Sequence, residues 1–179
     1  MDIPLIALLV LGFASSATHA APPLYKVLFA NLAGVTEADQ RAIARQFSDW
    51  RVAPDGKSIA DANCGTIPVE VRTLELATGS PPGVLLVWGN ACTSGHTGSS
   101  VSLFVKGAKG YAMQMGFPGF DVLPLPTKTR GWADLRVEGP SECQPVWAWT
   151  GRAYDLKCSV ESRRGACREM GHADKLCKR

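Results

Sequence analysis

The chain has 179 residues, of which 46% are hydrophobic and 20% are charged, and its formal net charge is +3. This length fits one ordinary domain, and the composition excludes an intrinsically disordered chain. The net charge is too small to indicate nucleic-acid binding, which is typical of strongly basic domains.

The first twenty residues resemble a secretory signal peptide. An apolar run covers residues 3–13, and small residues lead to Thr18-His19-Ala20, which suits cleavage after Ala20. The segment before the run contains Asp2 and no Lys or Arg, so a buried helix or an uncleaved anchor is the alternative. We expect a signal peptide over residues 1–20, a periplasmic location, and one mature domain over residues 21–179 with no transmembrane segment.

All six cysteines follow the predicted cleavage site. They are Cys64, Cys92, Cys143, Cys158, Cys167 and Cys177. An even number of cysteines in an oxidising compartment predicts disulfides. No Cys-x-x-Cys occurs, so the sequence supports neither a thioredoxin-like site nor a zinc ribbon.

The mature chain predicts one amphipathic helix near its start. Thr36 is a suitable N-cap, and two acids follow in the first turn, where they favour the helix dipole. Apolar residues then recur at helical spacing at Ile43, Phe47 and Trp50. The pattern predicts a helix over residues 37–49.

The middle of the chain predicts strands. Residues 84–88 carry no polar side chain, which is typical of a strand buried on both faces. Residues 101–105 and 111–113 flank Lys-Gly-Ala-Lys-Gly and predict a hairpin, and residues 132–137 predict another strand. Residues 115–125 contain Pro and Gly and are expected to be irregular. The expected fold is α+β: an N-terminal helix packed on a twisted, mainly antiparallel β-sheet that disulfides pin.

Residues 143–158 predict a further hairpin. If Thr150-Gly151 forms a two-residue turn, Trp149 faces Arg152 and Cys143 faces Cys158. This register predicts a Cys143–Cys158 disulfide. Because Thr disfavours positive φ, a longer turn is the alternative.

The remaining cysteines are then assigned to each other. Cys167 and Cys177 lie ten residues apart in the basic tail, residues 159–179, and are expected to close it. Cys64 and Cys92 are left as the third pair.

Three stretches resemble a family of exported bacterial proteins of unassigned activity. They are the run from the Asp55-Gly56 turn up to residues 87–92, residues 98–105, and the run Gly131-Trp132-Ala133-Asp134-Leu135 with the later Gly139-Pro140, Cys143, Val146-Trp147-Ala148-Trp149, Gly151 and Tyr154. The last stretch also resembles the hairpins of FG-GAP-like repeats. The resemblance covers most of residues 50–158, and its motifs imply a fold and a location more than an activity.

Proteins of that family often carry an Asp-rich calcium loop before the central strand. The matching residues here, 75–84, keep Glu75 but lack the aspartates and the closing acid. Calcium requires several charged oxygen ligands, so we expect no calcium site and no other cofactor. More faintly, the chain resembles the periplasmic immunity proteins that block type VI secretion amidase toxins with a protruding loop.

Four residues are candidates for a catalytic role, and each also has a structural interpretation. His96 lies among serines and threonines, but the Gly-x-Ser-x-Gly elbow of many serine hydrolases is absent. Asp121, Asp134 and Glu138 could supply paired carboxylates, as in a hydrolase. The structural interpretation, in which Asp134 orders the turn after Gly131-Trp132, is favoured. The five tryptophans suggest a glycan platform if they form an exposed row, and core packing if they are buried.

The sequence therefore predicts a periplasmic protein-binding module that is not an enzyme. The expected partner is a cell-wall amidase or another peptidoglycan hydrolase, which the module would occlude as an inhibitor or immunity protein. The predicted contact residues are Thr93, Ser94, Gly95, His96, Thr97 and Ser99. The alternatives are an envelope hydrolase and a glycan-binding or structural envelope protein. A homodimer is left open.

Overall fold

The structure is a computed structural model that describes residues 21–30 and 32–177, so the predicted signal peptide lies outside the described residues. The described residues form three antiparallel sheets and four short helices. The helices are α1 (Leu24–Leu28), α2 (Glu37–Ala44), α3 (Ala91–Ser94) and α4 (Ala166–Glu169). The strands are β1 (Trp50–Val52), β2 (Ile59–Asp61), β3 (Gly65–Ile67), β4 (Val69–Leu74), β5 (Gly83–Trp88), β6 (Ser100–Gly107), β7 (Gly110–Pro118), β8 (Asp121–Thr129), β9 (Trp132–Glu138), β10 (Cys143–Trp149) and β11 (Tyr154–Glu161).

The central sheet has the strand order β4-β5-β6-β7, and it is covered on both faces. Val84, Leu86 and Phe104 belong to one hydrophobic cluster with residues of α1, α2 and the small sheet β1-β2-β3. On the other face, Leu85 and Leu103 pack in a second cluster with residues of the outer sheet, β11-β10-β9-β8. Val84, Leu85 and Leu86 are all 0% exposed, which confirms the prediction of a strand buried on both faces.

The prediction of a mainly antiparallel, disulfide-bearing fold with few helices is confirmed. The finer picture of one helix on a single twisted sheet is not confirmed, because the described strands are divided among three sheets. The spacing of apolar residues along the chain predicts single helices and strands. It does not show how many sheets those strands will form.

Helix α2 begins where the sequence predicts and ends earlier. The Thr36 hydroxyl accepts a hydrogen bond from the Asp39 backbone N–H at 3.2 Å, as expected of an N-cap. After Ala44 the backbone bonds change to the tighter i→i−3 pattern, with the Phe47 N–H donating to the Ala44 carbonyl at 3.1 Å. The rings of Phe47 and Trp50 still pack inward, stacked with 4.0 Å between their centroids.

Two hairpins illustrate how turn chemistry decides register. The predicted β6–β7 hairpin forms, and its turn is shorter than the predicted five-residue connection, since Gly107 pairs with Gly110 across a two-residue turn. In the β10–β11 hairpin, Trp149 pairs with Tyr154 rather than with Arg152. The Thr150 N–H and hydroxyl both bond the Ala153 carbonyl, at 2.9 and 2.8 Å, and close a four-residue loop. The predicted two-residue turn was wrong because it would have required Thr150 to adopt positive φ.

This shift in register overturns one predicted disulfide. An additional bulge between Val146 and Trp147 moves the pairing further, so that Cys143 lies opposite Glu161. Cys143 is bonded instead to Cys167, with 4.8 Å between their Cα atoms. The Cys143–Cys158 prediction was therefore wrong, because the register that placed the two sulfurs together does not form.

The tail is closed differently from the prediction as well. Leu176 forms a parallel bridge with Ser159, and the Cys177 N–H donates to the Ser159 carbonyl at 2.9 Å. This placement brings Cys177 to Cys158, with 4.9 Å between their Cα atoms. The Cys167–Cys177 prediction was wrong, because each of these cysteines is bonded to a strand of the outer sheet and not to the other.

Candidate functional site

The predicted contact residues lie in the loop formed by residues 89–99, which joins β5 to β6 at one end of the central sheet. Within this 89–99 loop, α3 is followed by a 3-10 turn at Gly95–Thr97. Both flanking strands are in the core of the molecule, and Val101 is 0% exposed. The loop therefore rests on two strands that belong to the core.

Asn90 organises the first half of the loop. Its side-chain oxygen accepts hydrogen bonds from the backbone N–H groups of Cys92 and Thr93, at 2.9 and 3.2 Å. The Thr93 hydroxyl in turn accepts the backbone N–H of Asn90 at 2.8 Å. This reciprocal capping box satisfies N–H groups that the start of a helix otherwise leaves without partners.

A chain of hydroxyl groups joins the loop to the sheet beneath it. The Ser94 hydroxyl lies 3.2 Å from that of Thr93 and 2.9 Å from that of Ser100, the first residue of β6. Gly89 makes this possible, because a Cβ at that position would lie 2.5 Å from the hydroxyls of both Ser94 and Thr93. Gly89 also has φ of +105°, a conformation that a residue with a side chain rarely adopts.

A disulfide ties the loop to the small sheet. Cys92, in α3, is bonded to Cys64, as predicted, with 5.7 Å between their Cα atoms. Cys64 is itself held in a turn, where the Asp61 carboxylate accepts its N–H at 3.0 Å. The loop is thus crosslinked to a segment whose backbone is fixed by its own hydrogen bonds.

The predicted contact residues divide into two groups. The hydroxyls of Thr93, Ser94 and Ser99 bond the protein itself, and Ser94 is buried. Gly95 and His96 are exposed at the tip, and Thr97 is partly exposed. Residues 95–97 therefore offer the surface that a partner would meet, while the other three hold that surface in place. Whether the tip binds a partner stays a prediction.

Phe120 follows a residue that is bonded to the end of the loop, although its position in the sequence did not indicate this. The Ser99 hydroxyl donates to the Gly119 carbonyl at 2.8 Å, and the Gly119 N–H donates to the Ser99 carbonyl at 3.1 Å. These bonds hold Phe120, which is 44% exposed, beside the end of the loop. Residues 115–125, predicted to be irregular, instead complete β7 and start β8 with a short connection between them. The one sequence signal was a Phe directly after a Gly in a segment rich in turn residues.

The three candidate acids are each bound to a basic side chain. Asp121 forms an ion pair with Arg72 of β4, and this pair joins the outer sheet to the central sheet. Glu138 lies opposite Asp121 on the neighbouring strand and forms an ion pair with Arg136 at 2.9 Å. These two acids are brought together on one strand pair, and each already has a positively charged neighbour.

Asp134 lies elsewhere on β9 and is 1% exposed. Its carboxylate accepts hydrogen bonds from the Thr129 hydroxyl at 2.6 Å and from the Lys157 ammonium at 2.8 Å. Burial raises its pKa, but the bonds from Lys157 and Thr129 outweigh burial, so the pKa lies below the usual value. Because Thr129 precedes the Arg130-Gly131 turn, Asp134 braces that hairpin. Its role is structural, but the turn lies before Trp132 and not after it, since residues 132–138 form β9.

The tryptophans pack against the hydrophobic clusters. Trp132 stacks on Trp149 with 4.5 Å between their centroids, and Trp147 stacks on Phe117 at 5.7 Å. All five tryptophans lie within the described residues, where Trp50 is buried and the other four are half-buried. This is the arrangement expected of core packing, and it differs from the exposed row expected of a glycan platform.

The described residues contain no group of three or more His, Cys, Asp or Glu side chains placed to hold a metal ion. Within residues 21–30 and 32–177, no helix is both long enough and apolar enough to cross a membrane. The three disulfides are typical of proteins that fold in an oxidising environment. In comparisons with protein-family models, curated proteins and solved structures, the chain has no match.

Proposed function

We propose that this protein is an exported, periplasmic binding module that occludes a peptidoglycan-degrading enzyme, as an inhibitor or immunity protein. The contact surface is the tip of the 89–99 loop, residues 95–97, extended by Phe120. The observation that carries the proposal is that an exposed tip stands on a loop braced by a disulfide, a capping box and side-chain bonds to its surroundings.

Bracing favours this function for a physical reason. Association costs free energy for each side chain and loop segment that must become ordered in the complex. In the 89–99 loop, the backbone of α3 and both ends of the loop are already fixed by hydrogen bonds. A partner that binds the tip would therefore order little more than the side chains of His96 and Thr97.

Phe120 supplies the apolar part of the proposed surface. Aromatic side chains are enriched among the residues that dominate binding energy at protein interfaces. An exposed Phe beside the end of a polar loop would give an apolar anchor near hydrogen-bonding groups, which is a common composition of an interface. The disulfides support an oxidising compartment, and the signal-peptide pattern of residues 1–20 is the reason to place the module in the periplasm.

The test is inhibition of peptidoglycan hydrolysis. Purified mature protein is titrated into periplasmic extract or a purified wall amidase, and the release of dye from labelled peptidoglycan is measured. We expect saturable inhibition by the wild-type protein, and at least tenfold weaker inhibition by the double variant H96A/T97A, since a hot-spot residue is worth more than about 1 kcal/mol. F120A should weaken inhibition in the same direction.

K109A is the matched control. Lys109 is exposed in the β6–β7 turn, at the end of the central sheet opposite to the 89–99 loop. Its substitution should leave inhibition unchanged. If no hydrolase is inhibited, or if H96A/T97A inhibits as well as the wild type, the proposed function is wrong.

A further inference from the structure

The central sheet has one edge that is unprotected in the described structure. Strand β4 pairs with β5 along its whole length without a register shift, and β5 is its only partner among the described strands. The other outer strands of the two four-stranded sheets, β7, β8 and β11, are each covered or irregular. Helix α2 packs against β7, Pro124 and Pro126 interrupt β8, and the tail bridges to β11 at Ser159. A regular edge without such features is a template for another strand.

The backbone groups that face outward from this edge can be identified. The Gly89 N–H donates to the Pro68 carbonyl at 3.0 Å, which makes that pair a hydrogen-bonded one. In an antiparallel ladder the hydrogen-bonded pairs alternate, so every second residue of β4 points its N–H and C=O away from β5. These outward residues are Val69, Val71 and Thr73.

There is space beside the edge for an extended chain. A concave surface of about 290 Å³ lies next to β4, between the strand and the segment around α1. Val27, Leu28 and Leu32 line it on one side, and Val69 and Val71 line it on the other. Both valines are only partly buried, so an added strand would cover apolar surface as well as bond the free backbone groups.

The charges of β4 indicate what the added strand is. We propose that the edge binds β4 of a second copy of this chain, antiparallel, about a two-fold axis at Val71. In this register Val71 lies opposite Val71 of the other copy, and Val69 lies opposite Thr73. The outward N–H and C=O groups of all three residues then form hydrogen bonds between the two copies. Glu70 then lies directly opposite Arg72 of the other copy, twice by symmetry, in the pair type whose side chains approach most closely.

Neighbouring registers are disfavoured by the same charges. A two-fold axis at Glu70 places two glutamates opposite each other, and an axis at Arg72 places two arginines opposite each other. The Glu70 side chain is 68% exposed and is therefore available for a pair across the interface. The side chain of Arg72 is 31% exposed and already contacts Glu70 and Asp121 of its own chain. The second copy would extend this cluster of charges across the interface.

The test is the oligomeric state of the purified mature protein, measured by sedimentation velocity from micromolar to millimolar concentrations. We expect a concentration-dependent dimer. E70R places arginines opposite each other and R72E places glutamates opposite each other, so each variant alone should dimerise on the order of tenfold more weakly or worse. Circular dichroism and urea unfolding identify any loss that comes from misfolding, which matters for R72E because Arg72 also holds Asp121.

Mixing the two variants is the decisive experiment. The E70R chain carries two basic residues and the R72E chain carries two acidic ones, so the mixture should form a heterodimer with every opposite pair complementary. A wild-type protein that stays monomeric throughout overturns the proposal. So does an E70R protein that dimerises as tightly as the wild type, or a mixture of folded variants that fails to associate. A monomer that instead binds an added extended peptide also overturns it, because the edge then serves a different partner.

Discussion

The disulfide between Cys64 and Cys92 should contribute both to global stability and to the rigidity of the 89–99 loop. The two residues are 28 positions apart, so the disulfide closes a long loop in the unfolded chain. Removing it raises the conformational entropy of the unfolded chain. In the chain-entropy description this lowers the free energy of unfolding by about 3.5 kcal/mol. For a domain of this size, the C64S/C92S variant should melt roughly 10 °C below the wild type.

A matched variant separates the global effect from the local one. Cys158 and Cys177 are 19 positions apart, and they lie on the outer sheet and the tail. C158S/C177S should therefore lose a similar amount, about 3.2 kcal/mol. It leaves every contact of the 89–99 loop intact, so only the C64S/C92S variant should loosen that loop.

Hydrogen exchange provides the local measurement. The amides of Thr93 and Ser94 are bonded to Asn90, and they should exchange faster in C64S/C92S while remaining protected in C158S/C177S. Urea unfolding of both variants provides the global measurement. If loop exchange is unchanged in C64S/C92S, or rises equally in both variants, the disulfide does not brace the loop and this reasoning is refuted.

Two further predictions concern the outer sheet. Tryptic digestion without reduction should yield residues 137–152 linked to residues 165–168, and residues 158–163 linked to residues 176–178. Mass spectrometry would contradict the structure if residues 137–152 were linked to 158–163 instead. At pH 7 the free energy of unfolding of the D134N variant should be about 2 kcal/mol lower than that of the wild type, because a buried network of charge-assisted hydrogen bonds is lost. Because the pKa of Asp134 is lowered by folding, its stabilisation is present above pH of about 4 and is lost as the pH falls through the folded pKa. The difference between D134N and wild type in urea unfolding should therefore shrink in strong acid, and a difference that persists there would contradict this account.

The sequence predicted elements whose pattern is local. The apolar run Val84-Leu85-Leu86-Val87-Trp88 identified a strand that is buried on both faces. A strand with one solvent-exposed face would alternate apolar and polar residues. Thr36 identified the start of α2, because its hydroxyl satisfies a backbone donor three residues away. In both cases the residues that decide the structure are neighbours in the chain.

The pairing of strands and cysteines could not be predicted in the same way. The difference between a two-residue and a four-residue turn at Thr150 changes every pair in the β10–β11 hairpin, and the bulge beyond Trp147 adds to it. One such shift is enough to separate Cys143 from Cys158 and to leave each for a partner in the tail. A disulfide can therefore be predicted from strand register only if the length of the turn is predicted correctly.

The candidate site shows the same limit. The sequence placed the predicted contact residues after the buried strand of residues 84–88, and in the structure they lie in the 89–99 loop that follows β5. It did not indicate which hydroxyls turn inward, since Ser94, Ser99 and Thr97 all carry a hydroxyl, and the hydrogen bonds of Ser94 and Ser99 form only on folding. Phe120 was missed because the bonds between Ser99 and Gly119 join positions twenty residues apart.

The position of the loop also limits how the site can respond to a partner. Its ends lead directly into β5 and β6, where Leu86 and Val101 are 0% exposed and cannot shift without opening a hydrophobic cluster. The tip itself is closed by the Gly98 N–H, which donates to the Gly95 carbonyl at 3.0 Å, and both glycines have positive φ, +57° and +70°. Because only glycine adopts such conformations at low cost, these two positions fix the shape of the turn that presents the tip. A partner can therefore select the orientation of His96 and Thr97, but it cannot move the base that presents them.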